Sequence, residues 1–175
     1  EMDGPPLALN DLAGMVNEED VRIIDLRAHY DRNLGCNIEQ VLLDELESFK
    51  PDIVGLTCMT AQVNTTRTIL KQIKSFNPNI LTMIGGIHPT SSPNDFIDHD
   101  NDLIVIGLGK LTFKRVVDEY KKNRENSKFS HIDGLAIKSG NKLQFTSAEE
   151  NGFPTGGHGK KVFVPNFQEI LGQEL

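Results

Sequence analysis

The chain has 175 residues, 38% of them hydrophobic, enough for one domain, taken as 1–175, with a sizeable core. Its 18 Lys+Arg against 25 Asp+Glu give a net charge of -7, which argues against nucleic acid, a partner held mainly through clustered cations. No apolar stretch reaches the roughly 18 to 20 residues that span a bilayer and no basic-then-apolar leader opens the chain, so a cytoplasmic protein without a membrane span is expected; Cys36 and Cys58 form neither a disulfide framework nor a zinc or iron–sulfur spacing.

In chain order, "PPLALNDLAGMV" (5–16) reads as a helix and "VRIIDL" (21–26) as a strand. A helix over "NIEQVLLDELESF" (37–49) aligns Ile38, Val41, Leu42, Leu46 and Phe49 on one stripe, with Glu45 and Glu47 facing solvent. The strand "DIVGLTC" (52–58) leads to a helix over "TRTILKQIKSF" (66–76), with Ile69, Leu70, Ile73 and Phe76 inward and Lys71 and Lys74 in solvent. Two further strands, "ILTMIGG" (80–86) and "DLIVIGLG" (102–109), precede a helix over "LTFKRVVDEYKK" (111–122). These strands are apolar almost throughout and do not alternate, the pattern of parallel strands covered on both faces. A doubly wound α/β domain follows.

"IDGLAIKSGNKLQFTS" (132–147) reads as an antiparallel hairpin turning near Ser139-Gly140-Asn141, an edge or a flap. The Gly- and Pro-rich residues 151–160 read as a flexible linker, and "KVFVPN" (161–166) as a fifth buried strand. A βα unit normally begins with its strand, yet here a helix comes first and a spare strand last. The expectation is therefore a circularly permuted order in which residues 161–165 supply an inner strand of the sheet.

In open α/β sheets, ligands sit beyond the carboxyl ends of the strands. Those ends carry Thr57-Cys58-Met59-Thr60, Gly85-Gly86-Ile87-His88, Gly107-Leu108-Gly109-Lys110 and Pro165-Asn166. Paired glycines leave backbone bare for a broad, flat ligand, and the hydroxyls of Thr57, Thr60 and Thr90 can reach its polar substituents. His88 has two readings, a contact to that ligand or a hydrogen-bonded loop histidine that fixes a turn. Cys58 reads as a small core residue. "GLGKLT" (107–112) lacks the spacing of a phosphate loop.

Taken together, "PPLALNDLAGMV", "VRIIDL", "PDIVGLTCMT", "NPNILTMIGGIHPTSSPNDF", "DLIVIGLGKLTF" and "IDGLAIKSGNK" resemble the N-terminal cobalamin-binding domain of cobalamin-dependent radical SAM enzymes. The nearest branch is the one containing anaerobic magnesium-protoporphyrin monomethyl ester cyclase, and the likeness runs over about residues 5–142. It implies a flavodoxin-like five-stranded sheet in order 2-1-3-4-5, whose first strand precedes the PPL helix. Position by position, Thr57 and Met59 match residues packing near the cobalamin tail, and Gly85 and Gly86 those beside the dimethylbenzimidazole channel. His88, Pro89 and Thr90 match the loop that follows, and Gly107, Gly109 and Thr112 match a GEGExTF stretch. Asn166 would follow the inner strand. Leu108 and Lys110 replace two glutamates of that stretch. The loop from Pro165 to Gly172 lacks the histidine that ligates cobalt in methyltransferase-type domains, and His29, between Asp25 and Gly35, follows the wrong strand at the wrong spacing. Cobalamin is therefore expected base-off, without a histidine ligand.

The resemblance implies a domain that is not catalytic alone. Two isolated cysteines cannot hold a 4Fe-4S cluster, so S-adenosylmethionine and the cluster would belong to a radical SAM catalytic domain of the parent oxidoreductase, cyclase or methyltransferase. An apo α/β interaction module with a vestigial pocket is the alternative. A response-regulator switch is rejected, because Thr-Cys-Met-Thr stands where the phosphoacceptor aspartate belongs.

Overall fold

The computed structural model describes residues 7–32 and 36–148. Its elements are α1 (Leu7–Gly14), α2 (Leu26–Arg32), α3 (Ile38–Phe49), β1 (Ile53–Thr57), α4 (Val63–Phe76), β2 (Leu81–Gly85), α5 (Ile87–Ser91), β3 (Leu103–Val105), α6 (Lys110–Asn123), β4 (Leu135–Ser139) and β5 (Lys142–Phe145). Short 3-10 turns cover Thr60–Gln62, Pro93–Phe96 and Arg124–Asn126.

One five-stranded sheet runs in the order β1-β2-β3-β4-β5. β1, β2 and β3 are parallel, with Thr57 opposite Gly85 and Ile84 opposite Ile104. β4 runs antiparallel to β3 and β5 antiparallel to β4. The expected hairpin is present at the sheet edge, turning through Gly140 at φ 61°.

Helices cover both faces, as parallel strands require. On one face Ile84, Ile104 and Ala136 pack with Cys58, Leu70 of α4 and Phe96, while Leu42 and Leu46 of α3 join Ile73 and Ile80 alongside. The other face gathers Met83, Leu103, Val105 and Leu135 with Val116 of α6 and Ile132, and α1 packs against α6. The helical boundaries have local causes. Asn37 caps α3 by accepting from the Glu39 and Gln40 amides, and Lys50 ends it in the left-handed region at φ 51°.

Four expectations need correction. Residues 21–25 belong to no strand, because no described neighbour offers them a ladder, and Leu26 already begins α2. The order 2-1-3-4-5 is accordingly not seen among the described residues, where β1 stands at a rim. "DLIVIGLG" is a strand only over Leu103–Val105, since Gly107 and Gly109 turn the chain at φ 85° and 71°. Lys74 also differs from its solvent-facing reading: its ammonium donates to the Ile80 carbonyl at 2.7 Å and to Asp102 at 2.6 Å. The predicted linker 151–160 and strand 161–165 lie outside the described residues, as does Asn166.

Candidate functional site

The three parallel strands end side by side, so the residues after Thr57, Gly85 and Val105 form one rim about 10 Å across at a spacing of about 4.8 Å per strand. Three hydrogen bonds, two of them between backbone groups, hold this rim. Cys58 N donates to Gly85 O at 2.9 Å, His88 N donates to Cys58 O at 3.2 Å, and Gly107 N donates to the Thr90 hydroxyl at 3.1 Å.

The glycines serve this knitting. Gly86 has φ 105°, and a Cβ there would lie 2.9 Å from both Cys58 O and Thr57 Oγ1. At Gly109, φ is 71° and a Cβ would fall 2.6 Å from Val105 Cγ1. Close approach of chain to chain therefore fixes Gly86 and Gly109, and the space above them is filled by the protein. A Cβ on Gly85 would meet Val105 at 3.5 Å, an ordinary contact, whereas Gly107, at φ 85°, borders open space.

His88, Pro89 and Thr90 lie on α5 and not on a loop. Pro89 is the third residue of that helix, within the first turn where a missing N–H costs no intrahelical bond. His88 is buried and both ring nitrogens are engaged, Nε2 at 2.9 Å from Asp95 Oδ2 and Nδ1 at 3.3 Å from Thr60 Oγ1. Its ring meets Phe96 edge-on at 5.9 Å between centroids. The turn-fixing reading of His88 therefore describes its geometry.

The remaining candidates divide by exposure. Thr57, Met59, Thr60 and Gly107 are exposed on the rim, with Gly85, Gly86 and Thr90 half-buried behind them. Pro89, Gly109 and Thr112 are buried, and the Thr112 hydroxyl donates to Asp133 O at 2.8 Å. Two rim residues were absent from the candidates: Ile87 is 71% exposed and Leu108 57% exposed, and with Met59 they place one large apolar side chain after each of three adjacent strands. The available signal was an apolar residue directly following a turn glycine, at Gly86-Ile87 and Gly107-Leu108. Lys110 is ion-paired with Asp11 of α1.

The opposite end of the sheet is charged. A depression of about 530 Å³ there is lined by Lys74, Pro78, His99, Asp100, Asn101, Asp102 and Lys138. Burial, ahead of the nearby Arg67 and Lys138 charges, lowers the His99 imidazole below its ordinary range. Desolvation likewise lowers the Lys138 ammonium against the opposing pull of Asp102, Asp100 and Asp98. Among the described residues no cluster of His, Cys, Asp and Glu could hold a metal ion, and no helix is long and apolar enough to cross a membrane.

Comparison with known proteins adds the following. A family model described as "B12 binding domain" matches residues 1–117. The chain is 38% identical over 144 residues to an uncharacterized methyltransferase of Pyrococcus horikoshii, covering 81% of this chain and 29% of that protein. It is 28% identical over 109 residues to the anaerobic magnesium-protoporphyrin IX monomethyl ester cyclase of Cereibacter sphaeroides, covering 61% of this chain and 18% of the cyclase. The solved structure of the radical S-adenosylmethionine methyltransferase TsrM from Kitasatospora setae aligns with a TM-score of 0.70 at 19% identity, over 81% of this chain and 27% of TsrM. The chain thus spans less than a third of each relative's length.

Proposed function

The chain belongs to the B12-binding domain family, and from that premise we propose that it holds cobalamin over the rim at the carboxyl ends of β1, β2 and β3 and presents it to a radical SAM catalytic domain. The observation that carries this reading is the row Met59, Ile87 and Leu108, exposed apolar side chains after three adjacent strands. A corrin is a broad ring with apolar edges and amide side arms, and this rim supplies both kinds of partner. The apolar row would take the ring edge, and the hydroxyls of Thr57 and Thr60 and the open backbone at Gly107 would take the amides. Gly85, Gly86, His88, Pro89, Thr90, Gly109 and Thr112 would act behind them by fixing the rim, and Asn166 stays a candidate contact on sequence grounds.

Bound cobalamin supplies a cobalt centre that can carry a methyl group. His88 is committed to Asp95 and Thr60, which supports a base-off cofactor without a histidine from this chain. For the parent enzyme we favour methyl transfer over oxidative cyclisation, because the match to the Pyrococcus methyltransferase is higher in identity and covers more of this chain than the match to the cyclase. S-adenosylmethionine and the 4Fe-4S cluster then belong to the catalytic domain. Cytoplasmic placement is part of the same reading, supported by the free thiols of Cys36 and Cys58.

Gel filtration after mixing with hydroxocobalamin, read by visible absorbance, tests this. Retention near one corrin per chain is expected, and its loss on Ile87→Glu or Met59→Glu, whose exposed side chains leave folding intact. Absence of retained corrin in the unmodified protein would establish the alternative, an apo interaction module with a vestigial pocket.

A further inference from the structure

One side chain of the rim has its hydrogen-bonding sense fixed from beneath. Thr60 opens the turn after β1 and is exposed, and its hydroxyl lies 3.3 Å from Nδ1 of the buried His88. The other ring nitrogen, Nε2, lies 2.9 Å from Asp95 Oδ2. A carboxylate only accepts, so the proton of the neutral ring sits on Nε2 and Nδ1 keeps a lone pair. Thr60 then directs its single O–H at Nδ1, and the face of its oxygen turned out of the rim offers lone pairs only. Neighbours hold this row of three groups in place. The Arg67 guanidinium donates to Asp95 O at 2.6 Å and lies over the Phe96 ring, which meets the His88 ring edge-on. The Ser92 amide and the Ser91 hydroxyl both donate to His88 O.

We propose that Thr60 is a specificity residue of this rim, an acceptor that admits N–H donors of a ligand and turns away carboxylates, with His88 and Asp95 as the positioning residues that set its sense. This rests on the reading that the rim holds cobalamin, and the group selected there is a peripheral carboxamide, whose NH2 can donate to Thr60 Oγ1. A carboxylate in the same place sets acceptor against acceptor and leaves both without a proton between them. A threonine free to rotate would not discriminate, because its hydroxyl donates to a carboxylate as readily as it accepts from an amide. The selection acts on the arms of the corrin, so it needs no contact between His88 and cobalt.

Two measurements on the full chain test this. Long-range nitrogen–proton NMR spectra of the His88 ring in the free protein are expected to show Nε2 protonated and Nδ1 bare at a pH where the ring carries a single proton. At that pH the protein is titrated with hydroxocobalamin and with its monocarboxylic acid isomers, in each of which one peripheral propionamide is hydrolysed. At least one isomer is expected to bind about tenfold more weakly than hydroxocobalamin. That penalty should persist in Thr60→Ser, which keeps the hydroxyl, and vanish in Thr60→Val, which removes it from an exposed position. It should vanish also in His88→Phe, which frees the hydroxyl to donate. A proton on Nδ1, the absence of any penalised isomer, or a penalty that survives in Thr60→Val or in folded His88→Phe overturns this inference and leaves cobalamin binding standing. Failure of the unmodified protein to bind hydroxocobalamin overturns the reading beneath it, and this inference with it.

Discussion

The His88 imidazole is clamped between Asp95, 2.9 Å from Nε2, and Thr60, 3.3 Å from Nδ1, which joins the loop after β1 to the turn after α5. Removing the ring leaves a buried gap beside Phe96 and frees two partners. His88→Ala should cost about 2 kcal/mol in urea unfolding and Asp95→Asn about half of that, since Asp95 is the more exposed partner. If cobalamin is retained, the electron paramagnetic resonance spectrum of its Co(II) form should show no nitrogen splitting from the protein and should not change on His88→Ala.

Asp102 gathers three donors on Oδ2: the Thr82 amide at 2.7 Å, the Thr82 hydroxyl at 2.9 Å and the Lys74 ammonium at 2.6 Å. It thereby fixes the amino end of β3 to β2 and to α4. Asp102→Ala takes the acceptor from the Thr82 amide and the counter-charge from Lys74 and should destabilise by about 2 to 3 kcal/mol, whereas Lys74→Met, which keeps the alkyl stem, should cost about 1 kcal/mol. Chemical denaturation of the two variants orders them.

The rim glycines should not be equivalent. Gly86→Ala and Gly109→Ala each combine positive φ with a Cβ overlapping protein atoms and should cost about 3 kcal/mol or more. Gly107→Ala meets only open space, so about 1 kcal/mol of backbone strain is expected. Thermal unfolding of the three variants shows the difference.

His99 sets a pH dependence. Its folded-state pKa is lowered from 6.5, so the unfolded chain binds the proton more readily, and stability falls as pH drops through 6.5 toward the folded value. Burial and the Arg67 and Lys138 charges act in that direction, while Asp100 and Asp98 oppose them. Urea midpoints at about pH 7.5 and about pH 5.5 should differ less in His99→Gln than in the unmodified protein.

The regular parts of the fold were legible because their signals are local. The stripes Leu42–Leu46 and Leu70–Ile73 mark α3 and α4, and Ser139-Gly140-Asn141 marks the hairpin turn. What failed depends on distant partners. Residues 21–25 have the composition of a strand, yet a strand exists only where a neighbour pairs with it. Lys74 looks like any helix-surface lysine until folding brings Asp102, 28 residues on, beneath it. At the rim, Thr57, Met59 and Gly107 were found from their places at strand ends. Ile87 carries no mark in the sequence because an apolar residue reads first as core, and Leu108 reads there only as the loss of a family glutamate. The resemblance implies a loop over His88, Pro89 and Thr90, whereas the structure has a helix whose first turn accepts Pro89.

The ties Cys58–Gly85, Cys58–His88 and Thr90–Gly107 mean that neighbouring loops cannot shift independently. A molecule settling on this end of the sheet meets a relief already cast before it arrives. Capture would then cost little ordering entropy and be governed by how well the visitor's outline fits, so small changes in its periphery should be felt chiefly as faster escape.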